Sequence, residues 1–457
     1  MRSDGLPPGP PQSPLRQLRE WTWRPVRLLE QCQRRYGDAF TLRMAGLPPI
    51  VILADPAAVR EVFTGDPEKL RSGQANRFLE AALGRHSLLV LDGREHLRER
   101  KLMLPPFHGE RMRAYAGVID SIAEREVARW PTNQPFRVAP AMRSIALEVI
   151  LRAVFGVDDV ARNAPLRRAL ERMLAGTTPP WRFFGLLLAQ RLAPSVRGWR
   201  RASPLMRRVD KLLFAEIARR RNEPAGADRD DILSLLIGAR DERGEPLSDE
   251  HLRDELMTML VAGHETTATA LAWGLERLAR SPAALDRLEA ELDAGEDAYL
   301  DATASETLRV RPVVPFALRE LTEPMRIGGF DLPAGARAAP CGWLLHRRPD
   351  IYPDPETFRP ERFLEEPPGT YTWIPFGGGT RRCLGASFSM FEMKHVLRAV
   401  VRARRVTAIG AADEGYARRG VTFVPADDTP LLLPARAPAR RSMASTHGAA
   451  AVDRARR

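Results

Sequence analysis

Cysteine, lysine and long apolar runs are all scarce in this chain of 457 residues. The three cysteines, Cys32, Cys341 and Cys383, are odd in number, lie far apart and form no CxxC pair, so neither a disulfide framework nor a cysteine zinc site is expected. No apolar run reaches the roughly 18 residues of a membrane span, and the N-terminus lacks the apolar core of a signal peptide. We therefore expect a cytoplasmic protein without a membrane span.

Only four of the 70 basic residues are lysines, so arginine carries nearly all of the positive charge behind a net +12. The terminal segment 435–457 holds six arginines and one aspartate, and it supplies five of those charges. The remaining excess is modest for this length and forms no basic stripe, which argues against nucleic-acid binding. It would suit an acidic protein partner.

Composition divides the chain into three parts. Residues 1–19 form a lead-in whose first part is too rich in proline for regular helix. Residues 20–434 are expected to form one large domain. Residues 435–457 lack apolar periodicity and are predicted to be a disordered basic tail.

Helical periodicity dominates the domain, and strand patterns are few and local. The clearest predicted elements are helices over 231–240, 248–281, 284–293 and 386–402, and strands over 40–44, 49–54, 325–327 and 421–424. The predicted fold class is mainly α with a smaller β region. Segment 358–376 is rich in proline and glycine, so it is either an ordered loop held by side-chain contacts or a flexible one.

The strongest local pattern is FGGGTRRCLG, residues 376–385. Its glycines let the backbone approach a flat ligand closely, and the start of a helical pattern after Cys383 favours the thiolate through exposed N–H groups and the helix dipole. With arginine nearby and no zinc or redox motif, such a thiolate suits an axial haem ligand. A buried apolar cysteine is the alternative. A phosphate loop is excluded because no Gly-Lys-Ser/Thr follows the glycines.

With this motif and others in the expected order, residues 20–434 resemble the cytochrome P450 family. The resemblance implies the family's fold around heme b, with Cys383 as the ligand of the haem iron. The other haem contacts that it implies, including partners for the propionates, are His96, Arg100, Ala262, Gly263, Arg319, Phe376, Gly379, Arg381 and Gly385.

The segment AGHETT, residues 262–267, is similar to the family's helix over the haem. The resemblance implies that Glu265 and Thr266 pass protons to bound dioxygen. Alternatively, Thr266 bonds back to the preceding turn of a core helix, as threonine commonly does. An HExxH zinc site is excluded because Ala268, not histidine, lies four residues after His264.

Glu306 and Arg309 match the family's ExxR pair, and their spacing places them on one helix face. Such a pair alone is common on protein surfaces. The resemblance adds Arg362, from the segment Pro-Glu-Arg-Phe, and gives all three a structural role. They would hold the loop 358–376 behind the haem and so fix Cys383.

The function that the resemblance implies is a haem-thiolate monooxygenase, which inserts one atom of O₂ into a lipophilic small molecule. The chain lacks flavin and nicotinamide motifs, so electrons are expected from separate proteins, and the resemblance implies a ferredoxin and its reductase. Arg382 is one candidate ferredoxin contact, and the enzyme is expected to be a monomer. The expected substrate pocket is formed by Ser87, Leu88, Val261, Val314, Phe316 and Phe423. The alternatives are a peroxygenase or rearrangement enzyme on the same fold, and a non-catalytic haem carrier or sensor.

Overall fold

The structure, a computed structural model, describes residues 5–107, 110–156, 160–176, 203–223, 231–240 and 244–436. Its helices are Pro14–Trp23, Pro25–Tyr36, Pro56–Thr64, Ser72–Ala75, Glu80–Leu83, Gly93–Met103, Glu110–Ala114, Ala116–Val127, Val138–Phe155, Val160–Gly176, Pro204–Arg221, Ile232–Gly238, Asp249–Ala279, Pro282–Ala294, Ala298–Val310, Gly342–Leu345, Arg362–Glu365 and Ala386–Ala403. Its strands are β1 (Ala39–Leu42), β2 (Ile50–Leu53), β3 (Leu70–Arg71), β4 (Pro135–Arg137), β5 (Arg319–Leu321), β6 (Met325–Ile327), β7 (Phe330–Leu332), β8 (Arg337–Pro340), β9 (Thr407–Ala408), β10 (Tyr416–Arg419), β11 (Thr422–Pro425) and β12 (Pro430–Leu432). The predicted mainly α fold with a smaller β region is confirmed.

The largest sheet grows from the predicted hairpin. β1 and β2 pair antiparallel, with Phe40 opposite Ile52. All four residues of β2 are buried, as a strand covered on both faces requires. β8 runs parallel to β2, and the strand order of the sheet is β1-β2-β8-β5-β3. Because β5 begins at Arg319, this sheet fixes the position of one predicted haem contact.

The helix Asp249–Ala279, hereafter the long helix, runs through the core. Its start matches the sequence prediction, because the Ser248 side chain accepts a hydrogen bond from the His251 backbone N–H at 3.2 Å. Two acidic residues in the first turn favour the same end through the helix dipole. Most of its residues are buried, and it packs most extensively on Val138–Phe155. The long helix is therefore a rigid support for the residues that it carries.

The helix Ala386–Ala403 follows the glycine-rich motif, close to the predicted 386–402. It packs against Ala116–Val127 and the long helix. The hydroxyl of Ser389 lies 3.2 Å from that of Thr267, so the two helices are joined where the AGHETT segment ends. The motif that bears Cys383 and the long helix therefore belong to one packed unit.

The chain ends are tied to the body as far as the structure describes them. The backbone N–H of Thr41 donates to the Pro8 carbonyl at 2.9 Å. The Arg436 guanidinium lies 2.6 Å from Asp293. Of the predicted disordered tail 435–457, the first two residues are described and are bonded to the body, whereas residues 437–457, like residues 1–4, lie outside the described residues. Within the described ranges, no helix combines the length and the apolarity that a bilayer crossing needs.

Candidate functional site

Cys383 sits in a tight turn that depends on glycine. Its backbone N–H donates to the Phe376 carbonyl at 2.9 Å, which closes the motif into a loop. Gly377 and Gly379 both adopt positive φ, which favours glycine. At Gly379 an added Cβ would also meet the Phe63 carbonyl oxygen at 2.0 Å, so no side chain fits there. The helix Pro56–Thr64 therefore packs directly against the backbone of this motif.

Cys383 is exposed, whereas Cys32 and Cys341 are buried. The backbone N–H of Gly385 and the charges of Arg100 and Arg382 lower the pKa of the Cys383 thiol, in the predicted direction. Desolvation by the surrounding protein atoms is the largest influence even though part of the side chain reaches the surface, so the pKa is raised above its ordinary value. The helix start therefore lowers the pKa of this thiol as predicted, but it does not offset the desolvation. Coordination to a metal ion deprotonates a thiol outright. Bound haem iron would therefore stabilise the Cys383 thiolate, which the protein alone does not.

Four of the predicted haem contacts form a basic cluster, namely His96, Arg100, Arg319 and Arg381. Burial is the main cause that lowers the pKa of His96, to about 3, and the charges of Arg381, Arg100 and Arg319 lower it further. Burial followed by the charge of Arg381 likewise lowers the pKa of Arg319 to about 10. The charges of these side chains shift one another's pKa values because the side chains lie close together. Arg100 also acts on Cys383, so the cluster adjoins the cysteine.

The charge of this cluster fits the carboxylates of a haem. Arg381 donates to Asp92 at 2.6 Å and to the Leu88 carbonyl at 3.2 Å. Arg319 donates to the Ser72 hydroxyl at 3.2 Å. These groups include three guanidiniums and the single carboxylate of Asp92, which interacts with Arg319 and Arg381, and His96 is neutral, so two positive charges are in excess. Heme b brings two propionates, whose burial requires such cationic donors. The residues present therefore fit the group.

The AGHETT segment presents small and polar groups from the long helix. Ala262 is exposed, unlike most residues of this helix. The Thr266 hydroxyl donates to the Ala262 carbonyl at 2.6 Å, the back-bond that sequence reasoning left open as an alternative. His264 is buried, and burial followed by the charge of Arg143 lowers its pKa to about 4. It is therefore a neutral imidazole, and its Nδ1 has no hydrogen-bond partner among the described residues.

Glu265 forms an ion pair with a residue that sequence reasoning did not identify. Arg419, in β10, donates from Nη1 to Glu265 Oε1 at 3.0 Å. Burial is the largest influence on the carboxyl and raises its pKa, while the charges of Arg419 and Arg143 lower it. Glu265 is thus a half-buried acid, and the pKa of its carboxyl depends on a basic partner 154 residues away in the chain.

Glu306, Arg309 and Arg362 meet in the interior. Arg309 donates from Nε to Glu306 Oε2 at 2.6 Å and from Nη2 to Oε1 at 2.8 Å, with both side chains completely buried. Arg362 Nε lies 3.6 Å from Glu306 Oε1. The Arg359 backbone N–H donates to the same oxygen at 2.8 Å. One carboxylate therefore collects contacts from the helix Ala298–Val310 and from the loop.

The loop 358–376 is ordered by further side chains that sequence reasoning missed. The Ile374 backbone N–H donates to His346 Nε2 at 2.8 Å, and His346 is fully buried. Trp373 Nε1 donates to the Ser305 carbonyl at 3.3 Å. Of the two alternatives for this loop, the structure shows the ordered one. A histidine in an Arg- and Pro-rich stretch, His346-Arg347-Arg348-Pro349, is a weak signal and would not have singled it out.

Two residues of the expected substrate pocket have other partners. Phe423 is 1% exposed and packs against Trp343 and Trp21 in an aromatic cluster, so its ring is core packing. Ser87 is fully buried, and its hydroxyl accepts from Thr258 at 2.7 Å. Assigning these two side chains to the pocket is wrong, because apolar and hydroxyl residues on core elements look alike in sequence. The other four are placed as follows: Leu88 is buried, Val261 and Phe316 are half-buried, and Val314 is exposed.

Comparison with known proteins identifies the family of the chain. The family model Cytochrome P450 matches residues 7–414. The chain is 44% identical over 429 residues to cytochrome P450 135B1 of Mycobacterium tuberculosis, covering 93% of this chain and 90% of that protein. It is 40% identical to cytochrome P450 138 of the same organism, covering 88% and 90%.

Solved structures show the same fold. The cytochrome P450DA heme domain superposes with a TM-score of 0.79 at 26% identity, covering 95% of this chain and 98% of that one. Cyanobacterial CYP120A1, solved with retinoic acid, superposes with a TM-score of 0.80 at 24% identity, covering 94% and 99%.

The family model and the relatives together identify a haem-thiolate protein. The chain belongs to the cytochrome P450 family. It is therefore a monooxygenase of that family, and its cofactor is heme b held through a cysteine thiolate.

Proposed function

We propose that this P450 takes its electrons from a separate ferredoxin and inserts one oxygen atom of O₂ into a lipophilic small molecule, with Cys383 as the iron ligand. The observation that carries the site assignment is the exposed Cys383 beside a basic cluster with two charges in excess. Cys32 and Cys341 are buried, and burial raises the pKa of each thiol to about 11 and about 12. They are therefore poor candidates for the ligand.

The chain's own residues bind the cofactor and position its surroundings. Haem supplies the activation of O₂, which the thiolate supports by donating electron density to the iron. Arg100, Arg319 and Arg381 would bind the propionates, and His96 would offer a neutral donor beside them. The network of Glu306, Arg309 and Arg362 keeps the loop in the shape that the cysteine needs.

Proton delivery is assigned to Glu265 and Thr266. Desolvation raises the pKa of the Glu265 carboxyl, and the charge of Arg419 lowers it, which favours the charged carboxylate. Such an acid can take a proton from outside and release it toward the haem side of the long helix. The Thr266 hydroxyl already donates to Ala262, one turn earlier. To relay a proton, the hydroxyl would turn its O–H away from that carbonyl and donate it into the pocket while its oxygen accepts a proton from a water, so that one proton arrives for each one that leaves.

Docking of a ferredoxin is assigned to the face that carries Arg382, which is exposed and adjacent to Cys383 in the chain. An acidic ferredoxin would be steered by the positive surface, and this attraction weakens with added salt. The protein is proposed to act in the cytoplasm as a monomer. The proposed lipophilic substrate fits the apolar side chains of Val261, Val314 and Phe316, which retain accessible surface.

The first test is the carbon monoxide difference spectrum of the reduced protein. We expect a strongly red-shifted Soret band that is lost in Cys383→Ala and kept in the matched variant Cys32→Ala. A red-shifted band in Cys383→Ala would contradict the ligand assignment.

Reconstituted turnover then separates the monooxygenase from its alternatives. We expect product with O₂, NADPH, ferredoxin and reductase, at rates that fall as salt rises. Equal turnover with hydrogen peroxide alone would instead support a peroxygenase. Haem binding without turnover under either condition, across a lipophilic compound library, would support a carrier.

A further inference from the structure

A second cluster of ligating side chains lies outside the haem site, between the helix Gly93–Met103 and the long helix. It consists of Glu99, His251 and Glu255. One ligand atom from each lies within 4.8 Å of those of the other two. His251 and Glu255 are four residues apart on the long helix and so share one face, which is the spacing that helices use to bind metal ions. Glu99 faces them from the neighbouring helix.

Glu255 has no ordinary structural explanation. It is completely buried, and neither carboxylate oxygen has a well-formed hydrogen bond among the described residues. Burial, followed by the nearby charge of Glu99, raises its pKa, and the Leu88 backbone N–H only partly offsets them. A buried carboxylate without a cationic partner is costly, and such groups usually pair or coordinate a metal ion.

The other two ligand atoms are also available. Nε2 of His251 lies 2.9 Å from Glu99 Oε1, but the geometry does not make a hydrogen bond and both atoms remain without one. The His251 ring stacks on the His86 ring at a centroid distance of 4.8 Å, which fixes its orientation. His86 is held in turn, because its Nδ1 lies 3.1 Å from Asp254 Oδ2. The imidazole is thus presented in one direction.

The site has an entrance. Glu99 and His251 line a surface cavity of about 250 Å³, together with Leu102 and Leu247. The His251 side chain at the opening is 16% exposed, whereas Glu255, one helical turn farther along, is 0% exposed. An ion could therefore enter through the cavity, meet His251 and Glu99 first, and then reach the buried carboxylate.

We propose that Glu99, His251 and Glu255 bind a zinc-class divalent cation. One imidazole nitrogen and two carboxylate oxygens are ligands that Zn²⁺ takes at about 2.0–2.2 Å, with water completing the tetrahedron. Drawing three atoms that lie within 4.8 Å around such an ion requires only small side-chain rotations. Mg²⁺ and Ca²⁺ prefer all-oxygen sites, so the imidazole selects against them.

The bound ion would fasten two helices that serve the haem. Glu99 follows His96 by three residues and precedes Arg100, and both of those side chains belong to the basic cluster. The long helix carries Glu265 and Thr266 farther along. Zinc is therefore expected to stabilise the holoprotein, because it binds the folded arrangement only.

The test is zinc binding by the haem-loaded protein without an affinity tag. After chelation and dialysis against buffered free Zn²⁺, zinc and iron are measured together by mass spectrometry, with haem iron as the internal count. We expect one tight zinc per iron and a higher melting temperature that chelator reverses. Glu99→Gln and Glu255→Gln should each weaken binding at least tenfold, while the exposed neighbour Glu250→Gln should not.

Contrary results are distinct. Unchanged zinc affinity in Glu255→Gln, with its carbon monoxide spectrum intact, would place the zinc elsewhere and overturn the proposal. Equal binding of Mg²⁺ would overturn the assignment to the zinc class. If Glu255→Gln fails to take up haem, His251→Gln provides the same test on a partly exposed side chain.

Discussion

Arg309 and Glu306 form a doubly hydrogen-bonded pair in which both side chains are completely buried. A lysine at position 309 could keep the charge but not the planar pair of donors. Arg309→Lys should therefore lose several bonds at once, at a cost of about 3–5 kcal/mol for breaking a buried pair. We expect haem content per protein to fall severely, as measured by the pyridine haemochrome assay.

The control for Arg309→Lys is Arg16→Lys. Arg16 pairs with Glu20 one helical turn away, and its side chain is 59% exposed. Such pairs contribute about 0.3–0.5 kcal/mol, so haem content should not change. If Arg309→Lys also retained full haem content, the structural role of the network would be refuted.

The Thr266 hydroxyl is expected to couple electron use to product formation. Thr266→Ala should still oxidise NADPH but yield less product per NADPH, since the hydroxyl that passes the proton is gone. Thr266→Ser keeps a hydroxyl and should restore most of the coupling. Both ratios are measured from product formation and NADPH consumption. Full coupling in Thr266→Ala would leave its bond to Ala262 as a purely structural feature.

Arg419 is expected to tune Glu265. Its charge lowers the pKa of the Glu265 carboxyl against the larger effect of burial, so Arg419→Gln should raise that pKa further. If the charged carboxylate accepts the proton, the acidic limb of the rate profile then moves to higher pH. The profile of kcat against pH is the measurement, with the exposed Arg326→Gln as control. An acidic limb at the same pH would mean that Glu265 does not limit proton delivery.

His346 makes stability depend on pH. Burial, followed by the charges of Arg309 and Arg347, lowers its pKa from 6.5 to about 3. The folded protein therefore holds the neutral ring, and its contribution is complete above pH 6.5 and declines as the pH falls toward 3. Between pH 7 and pH 5 the loss should be about 2 kcal/mol.

Urea unfolding of the wild type and of His346→Asn at both pH values tests this. The wild type should lose more stability than the variant over that interval. Equal losses would show that the ring is already protonated in the folded protein.

The chain end should be dispensable beyond Arg436. We expect a protein ending at Arg436 to keep its haem content and melting temperature. Ending it at Pro434 also removes the pair between Arg436 and Asp293, where the Arg436 side chain is 14% exposed, and should cost about 0.5–1 kcal/mol. Thermal unfolding of the two truncated proteins measures the difference. A large loss in the longer one would show that residues 437–457 contribute to the body.

Sequence patterns identified the motifs and elements whose residues lie close together in the chain. Cys383 and its glycines are separated by only a few residues, and the backbone geometry there admits few residue types. The long helix was found because burial imposes a period near 3.6 on apolar residues, and the first hairpin was found because two short apolar runs flank a Gly-Leu-Pro turn. The ExxR pair gained its meaning only from the resemblance, since its spacing alone is common.

Contacts between distant segments were not predictable in the same way. Arg419 is one of many arginines, and nothing local shows that it meets Glu265. The substrate assignments of Ser87 and Phe423 failed for the related reason that burial against protein and contact with a ligand select the same residue types. His251 and Glu255 have a readable spacing, but Glu99 joins them only through helix packing.

The contacts of Arg309 also bear on how the protein is made. Its guanidinium donates to the backbone carbonyls of His346, Pro355 and Thr357, and so satisfies acceptors in the segment 346–357, which directly precedes the loop 358–376. Domains emerge from the ribosome N-terminus first, so the helix Ala298–Val310 is synthesised before this segment and can serve as its template. Cys383 comes later still. Capture of the cofactor must therefore wait until nearly the whole chain has been translated, and stalled nascent chains that end before residue 383 should carry no haem.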